Sequence, residues 1–409
     1  MPVQPAMSTP PAASSMPAHE AYLDYAAATP MDPQVVQAML PYLSERFENP
    51  SAPYARARQA RVALEEARAT LAHLIGARPG NVVLTAGATE ANNLAFAATD
   101  GPVLVDAIEH ESVLACAQAR GAVVVPVTSD GRVDPRDVQA ALTSEVTLVS
   151  IELANGEIGT IQPIREIANV VAAERDRRLR NGERTPLYLH ADASQAALVL
   201  SVNVSSLRVD LLTLSAAKLY GPKQVGLLWA ADGVPLRPLV RGGGQESGVR
   251  SGTENVAGAV AFARALQLAS ELRAQEARRL AQLRDQLERS LREQIPWMIT
   301  PGPRSAARRL PGLLSVSFPG LEARRLVVLL ERQGVSVGTG SACAASRMRV
   351  SHVLQAIGLS EEEAAGSLRI TLGRPTTSDD IVYAAQAIVA CVHEECQRVG
   401  LDAQTGGRS

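Results

Sequence analysis

Three stretches far apart in the chain hold the residue types that could do chemistry together. TAGATEANN (85–93) brings glycine, small residues and the Thr89 hydroxyl to a point where an apolar run gives way to a helical stretch. Small residues let backbone N–H groups approach an anion, and a helix N-terminus favours negative charge, so this turn suits a phosphate. Packing alone also produces such turns. LHADASQAA (189–197) ends an apolar run on Asp192. An aspartate there needs a partner, which is either the N-terminus of the next helix or a protonated heterocyclic nitrogen. LTLSAAKLYGPKQVGLL (212–228) places Lys218 just after another apolar run. Lysine is rarely buried without a task, and a desolvated lysine can lose its proton and form a Schiff base. Taken singly, each stretch has an ordinary structural reading. In this order, a phosphate-type turn, a strand-end aspartate and a strand-end lysine are the parts of a pyridoxal phosphate (PLP) site. The aspartate keeps the pyridine nitrogen protonated and the lysine holds the cofactor covalently.

Two further stretches point elsewhere. VGTGSACAASRMRVSHVL (337–354) sets Cys343 in a bed of Gly, Ala, Ser and Thr, with Arg347 and Arg349 close behind. Cysteine is usually a buried small hydrophobe, yet no large apolar neighbour offers to bury this one. Small neighbours permit movement, and the arginines favour thiolate over thiol. RGGGQESGVRSGTEN (241–255) is glycine-dense, and its length and the Thr253 hydroxyl suit reaching into a neighbouring site.

The elements that must position these residues are legible as alternating patterns. NVVLTA (81–86), PVLVDA (102–107), AVVVPV (122–127), VTLVSIEL (146–153), LYLHAD (187–192), VDLLTLS (209–215) and VGLLWA (225–230) are apolar runs separated by helical stretches. That alternation predicts a mostly parallel sheet of seven strands covered on both faces, an α/β fold. VVAAERDRRLRNGERTP (170–186) reads as a charged helix end and solvated surface loop. Leu280, Leu283, Leu287, Leu291 and Ile295 fall at spacings of three and four and predict an amphipathic helix over 269–295, ended by Pro296. LLSVSF, VSVGTG and SLRITLG then read as strands of a smaller α+β unit. The expected division is a disordered tail over 1–19, a large cofactor-binding domain over 34–268, and a small domain from 20–33 with 269–409 that carries the Cys343 loop.

A chain of 409 residues exceeds what one core usually organises. A formal net charge of −2 gives no reason to expect nucleic acid or an anionic membrane as partner. Four cysteines without a CxxC pair suggest a reducing, cytoplasmic setting. No apolar run reaches about 18 residues, so no membrane span is expected. The Pro/Ala/Ser-rich N-terminus lacks the pattern of a secretory signal. Cys391 and Cys396 are expected on different faces of a C-terminal helix, and with Cys116 they read as structural.

Beyond these patterns the chain resembles the cysteine desulfurases, class V enzymes of the fold-type I PLP-dependent group. The resemblance runs from LDYAAATPMDP (23–33) to SLRITLGRPTT (367–377). It is carried by NPS (49–51), GATEANN, EHESVL (109–114), ANGEIGTIQPI (154–164), HADASQA, SAAKLYGPK, GGGQESGVRSGTEN and GSAC (340–343). It implies a homodimeric, PLP-dependent enzyme that converts L-cysteine to L-alanine and passes sulfur on as a persulfide of Cys343. Selenocysteine lyase, an aminotransferase or a weakly active PLP-binding scaffold are the alternatives on the same fold.

The resemblance also implies roles. Lys218 holds PLP and shuttles the Cα proton, and His110 stacks on the ring and acts in proton transfer. Asp192 pairs with the pyridine nitrogen and Gln195 with the phenolic oxygen. Ala88, Thr89 and Ser215 hold the phosphate, and Thr253 reaches the phosphate of the other subunit. Asn155 binds cofactor and, with Arg369, the substrate carboxylate, for which arginine's fork is suited. The spacing after GSAC resembles the long-loop branch, which implies an iron–sulfur scaffold, a tRNA-thiolation protein or a thio-cofactor pathway as acceptor. No metal site is expected beyond a transient cluster contact of Cys343 with a scaffold. The chain departs from the family pattern at Ala217, Tyr54 and Gly156, where His, His and Asn are usual.

Overall fold

The seven apolar runs become strands of one sheet in the computed structural model, which describes residues 19–340 and 351–407. In chain order the strands are β1 (Ala21–Tyr22), β2 (Val82–Thr85), β3 (Val103–Asp106), β4 (Val123–Val125), β5 (Leu148–Ser150), β6 (Tyr188–Asp192), β7 (Leu211–Ser215), β8 (Gly226–Ala230), β9 (Leu313–Ser317), β10 (Val335–Ser336) and β11 (Ser367–Thr371). The large sheet runs β2-β8-β7-β6-β5-β3-β4. Its pairings are parallel from β4 through β7 and antiparallel where β8 meets β2 and β7. Each parallel pairing needs a crossover, supplied by helices such as Glu111–Gln118, Pro135–Ala141 and Ile164–Arg180. β8 follows β7 after a short turn through residues 216–225, too short for a crossover, and so returns antiparallel. β5, β7 and β8 are buried throughout, which explains why they read as continuous apolar runs rather than alternating ones.

Two extended apolar cores lie on either side of a long helix. The first packs around the large sheet and takes in Val256 to Ala269. The second gathers Ala21, Leu23, Leu280 to Ile295, β9, β11 and the helix Ser378–Val399. The helix joining them runs over Val256–Gln294, 39 residues, about 58 Å at helical rise. It begins well before the expected 269, because the Asn255 side chain accepts the Gly258 N–H and caps an alanine-rich first half. In the smaller unit β9 pairs antiparallel with β11, and β10 pairs parallel with β1.

One expectation is corrected. The charged end of the helix Ile164–Arg180 is not simply a solvated face: Arg178 is buried and donates to the carbonyls of Thr143 and Val146, tying the helix to the segment that opens β5. Cys391 and Cys396, five residues apart on the helix Ser378–Val399, sit roughly 140° apart around it, as expected. Both are buried in the second core, since their helix is covered over a wide arc.

Candidate active site

The sheet's topology brings the first three stretches to one edge. β6 and β7 run parallel and end on Asp192 and Ser215, with Lys218 one short 3₁₀ turn beyond. Thr85 and Ser215 both pair with Gly226, one from each side of β8, so the turn after β2 and the turn after β7 become neighbours. Gly226 permits this closeness, because a Cβ there would lie 2.7 Å from the Gly87 backbone. The C-terminal edge of a parallel sheet is where such folds place ligands.

Gly87 starts the helix Ala88–Phe96 at φ 122°, a conformation glycine tolerates and other residues resist. It offers no side-chain cap, and a Cβ built on it would meet nothing within 4 Å. The first N–H groups of this helix, at Ala88 and Thr89, therefore face space suited to an anion. Behind the turn, Glu90 accepts the Ala86 N–H at 2.7 Å and pairs with Arg250 at 3.0 Å, which fastens the loop 241–255 beside it. Thr253 in that loop is exposed.

Asp192 receives two donors: the Ser194 N–H on Oδ1 at 2.9 Å and Asn92 Nδ2 on Oδ2 at 2.8 Å. The Ser194 contact is the helix-cap-like bond that competes with a ligand role at Oδ1. Asn92 was not singled out from the sequence, although it lies in GATEANN. Its place beside Asp192 depends on the sheet order rather than on chain distance. Its Nδ2 also lies 2.9 Å from Ser112 Oγ. His110 caps the helix Glu111–Gln118, with Nδ1 accepting the Ser112 N–H at 3.1 Å and lying 2.8 Å from Ser112 Oγ. The surrounding protein lowers the His110 pKa, desolvation being the main cause and the charge of Asp192 opposing it.

Lys218 Nζ donates to the carbonyls of Ala26 and Ala27 at 2.6 and 2.7 Å, and Gln195 Nε2 donates to the same Ala26 carbonyl at 3.2 Å. The segment after β1 thus closes over the lysine. Lys218, Gln195, Tyr25, Thr29 and Thr371 are among the residues lining a cavity of about 60 Å³ beside it. Arg369 is buried on β11, with Nη2 on Asp24 Oδ1 at 2.8 Å, Nη1 on the Gly156 carbonyl at 3.3 Å and Nε without a hydrogen-bond partner among the described residues. Asp24 is a neighbour that sequence reasoning missed, because its pairing spans the chain from β1 to β11.

Asn155 is held by its protein neighbours. Its Nδ2 donates to the Ile108 carbonyl and to Glu152 Oε1, and its Oδ1 accepts the N–H groups of Glu157 and Ile158. All four hydrogen-bonding positions of the amide are engaged inside the protein, and they hold the ANGEIG turn in shape. Gly156, beside it, faces Gln195: a Cβ there would lie 2.9 Å from Gln195 Cγ, Cδ and Nε2. Gln195 occupies the space a side chain at 156 would need.

Next to this site is a group of carboxyls the motifs did not announce. Asp106, Glu109 and Glu152 are buried, and Asp106 Oδ2 has no hydrogen-bond partner among the described residues. Burial pushes Asp106 up to about 7, and burial together with the charge of neighbouring carboxyls pushes Glu109 and Glu152 well above the usual range. No group of side chains suited to a metal ion is present among the described residues. Cys343, Arg347 and Arg349 lie outside the described residues.

The uncapped helix end, the strand-end carboxylate and the enclosed lysine fit the phosphate, the ring nitrogen and the aldehyde carbon of PLP respectively. Comparison with known proteins agrees. Residues 21–383 match the family described as Aminotransferase class-V. The chain is 42% identical over 376 residues to the protein named Cysteine desulfurase IscS of Dictyoglomus turgidum, covering 89% of this chain and 92% of that one. It is 40% identical over 372 residues to Cysteine desulfurase IscS 1 of Archaeoglobus fulgidus, covering 88% and 94%. A solved structure titled as a NifS-like protein superposes with a TM-score of 0.81 at 32% identity, covering 90% of this chain and 98% of that one.

Proposed function

This chain belongs to the aminotransferase class-V family and, within it, to the cysteine desulfurases, and from that premise we propose how its residues divide the work. The enzyme is PLP-dependent and converts L-cysteine to L-alanine with transfer of the sulfur. PLP, when bound, supplies an electron sink for the substrate's Cα.

Lys218 is the residue that would hold the cofactor and move the Cα proton. The carbonyls of Ala26 and Ala27 aim its Nζ. Asp192 would meet the ring nitrogen, steadied by Asn92, and Gln195 the phenolic oxygen. Ala88, Thr89 and Ser215 would hold the phosphate, supported by the uncapped helix end at Gly87. Arg369 would take the substrate carboxylate in exchange for part of its contact with Asp24; its unpartnered Nε supports that reading. Cys343 would attack the sulfur of bound cysteine: an S–S bond forms as the substrate's Cβ–S bond breaks, leaving a persulfide for a sulfur-acceptor protein. An iron–sulfur scaffold or a thiolation protein is the acceptor we favour.

The observation that carries this assignment is the meeting of Lys218, Asp192 and the Gly87 turn on one sheet edge. Peptide mapping after borohydride reduction and after incubation with L-cysteine tests it. Pyridoxyl label on Lys218 and added sulfur on Cys343 are expected; label on Lys223, or unaltered turnover by Cys343→Ser, would overturn it.

The domain division at 269 is our reading too, supported by the two apolar cores. So is a homodimer with shared sites. Exposed Thr253 supports it, as do the exposed Leu40, Leu43, Phe47 and Tyr54. Lys218→Ala and Thr253→Ala chains should then complement each other when mixed, and failure of verified heterodimers to do so would count against it. Among the described residues no helix is long and apolar enough to cross a membrane. We place the enzyme in the cytoplasm, supported by the free thiols of Cys116, Cys391 and Cys396; fractionation of the cells that make it would test this, and recovery outside the cytoplasm would refute it.

A further inference from the structure

A continuous path of hydrogen bonds joins Asp192 to His110. Asn92 Nδ2 contacts Asp192 Oδ2 at 2.8 Å and Ser112 Oγ at 2.9 Å. Ser112 Oγ lies 2.8 Å from His110 Nδ1, and the Ser112 backbone N–H donates to that same nitrogen at 3.1 Å. Asn92 and Ser112 are buried, and His110 opens to solvent.

The direction of each bond follows from what the groups can do. A carboxylate oxygen only accepts, so the Asn92 atom facing Asp192 must be the amide nitrogen. That nitrogen has two hydrogens. One goes to Asp192 and the other to Ser112 Oγ. Ser112 Oγ, having accepted, has its own hydrogen left for His110 Nδ1. The backbone N–H of Ser112 requires a lone pair on Nδ1 independently, since an N–H cannot donate to a protonated ring nitrogen. Both contacts therefore make Nδ1 an acceptor, and a neutral ring then carries its proton on Nε2. The buried Asn92 Oδ1 has no partner, so the amide is held in place by what its nitrogen donates.

We propose that Asn92 and Ser112 are positioning residues that fix His110 as its Nε2–H tautomer and lock its orientation to that of Asp192. The two groups expected to flank the cofactor ring are then set by one chain of bonds anchored in the helix Ala88–Phe96, and Nε2 is the only ring nitrogen able to give up a proton. This rests on the desulfurase reading for its catalytic meaning, but the tautomer itself does not.

Ring-¹⁵N-histidine protein, with and without PLP, tests the proposal at pH 8, the His110 signals being assigned by their loss in His110→Gln. Wild type should show an unprotonated Nδ1 and a protonated Nε2 in both forms. Ser112→Ala keeps the backbone N–H and with it the Nε2–H tautomer, but loses the hydroxyl link to Asn92; it should move the His110 ring ¹⁵N shifts and lower kcat for alanine release about tenfold with little change in KM, as expected when a proton-transfer group is present but misaligned. Ser112→Thr, which keeps the hydroxyl, should restore both. A protonated Nδ1 in wild type, or a Ser112→Ala protein whose His110 ring shifts and kcat are both unchanged, would overturn the proposal. Correct tautomers in a wild type that releases no alanine would overturn the functional assignment instead.

Discussion

Asp106 and Asp192 both end parallel strands of the same sheet, yet their surroundings differ. Asp192 ends β6 with an N–H donor on each oxygen. Asp106 ends β3 fully buried, with the Ile108 N–H on one oxygen and nothing on the other, and with Glu109 and Glu152 as acidic neighbours. A carboxyl removed from water without enough donors is better off protonated, and burial accordingly raises Asp106 to about 7. The same residue type at the same structural position therefore becomes either a cradled strand-end acceptor or a proton store. The donors that neighbouring elements bring decide which.

The strongest test of this contrast is activity. Asp192→Asn should cut alanine release by roughly a hundredfold or more, since it alters the group expected at the ring nitrogen, whereas Asp106→Asn should stay within about threefold. Equal losses in the two variants would dissolve the distinction.

Stability against pH gives an intermediate effect, in the opposite sense. The unfolded chain's aspartate titrates near 4, while folded Asp106 titrates at about 7. The folded state thus holds an extra proton between those values. That contribution is fully present below about pH 4 and is lost as pH rises through 7. Asparagine cannot ionise and keeps the Ile108 bond, so Asp106→Asn should gain stability over wild type at pH 8, on the order of 4 kcal/mol, and far less at pH 4.5. Urea melts at the two pH values measure it. A difference independent of pH would show that the buried carboxyl is not the titrating group.

The smallest effect is expected at Gly156. A Cβ there meets Gln195 at 2.9 Å, but the atoms it meets belong to a side chain that can swing away. Gly156→Ala should loosen the Gln195 bond to the Ala26 carbonyl and change KM for cysteine by about twofold to threefold, with the fold intact. A variant that fails to fold would mean Gln195 is held more rigidly than its single 3.2 Å bond suggests.

Much of this was legible in the chain. Each apolar run that predicted a strand became one; for β5, β7 and β8, buried on both faces, local continuity of β-branched and aliphatic residues suffices, while β4 keeps Val123 and Val124 exposed. The turn at 85–93, Asp192 and Lys218 could be named because strand ends and helix starts are local features. By itself the sequence therefore determined the strands, their order along the chain and the residue types delivered to their ends. Only the tertiary structure decided which ends became neighbours. Asn92 meets Asp192 across 100 residues, Arg369 meets Asp24 across 345, and Asn155 meets Ile108 across 47. Such pairings are set by strand order and register, which depend on how the whole sheet packs; no local pattern encodes them.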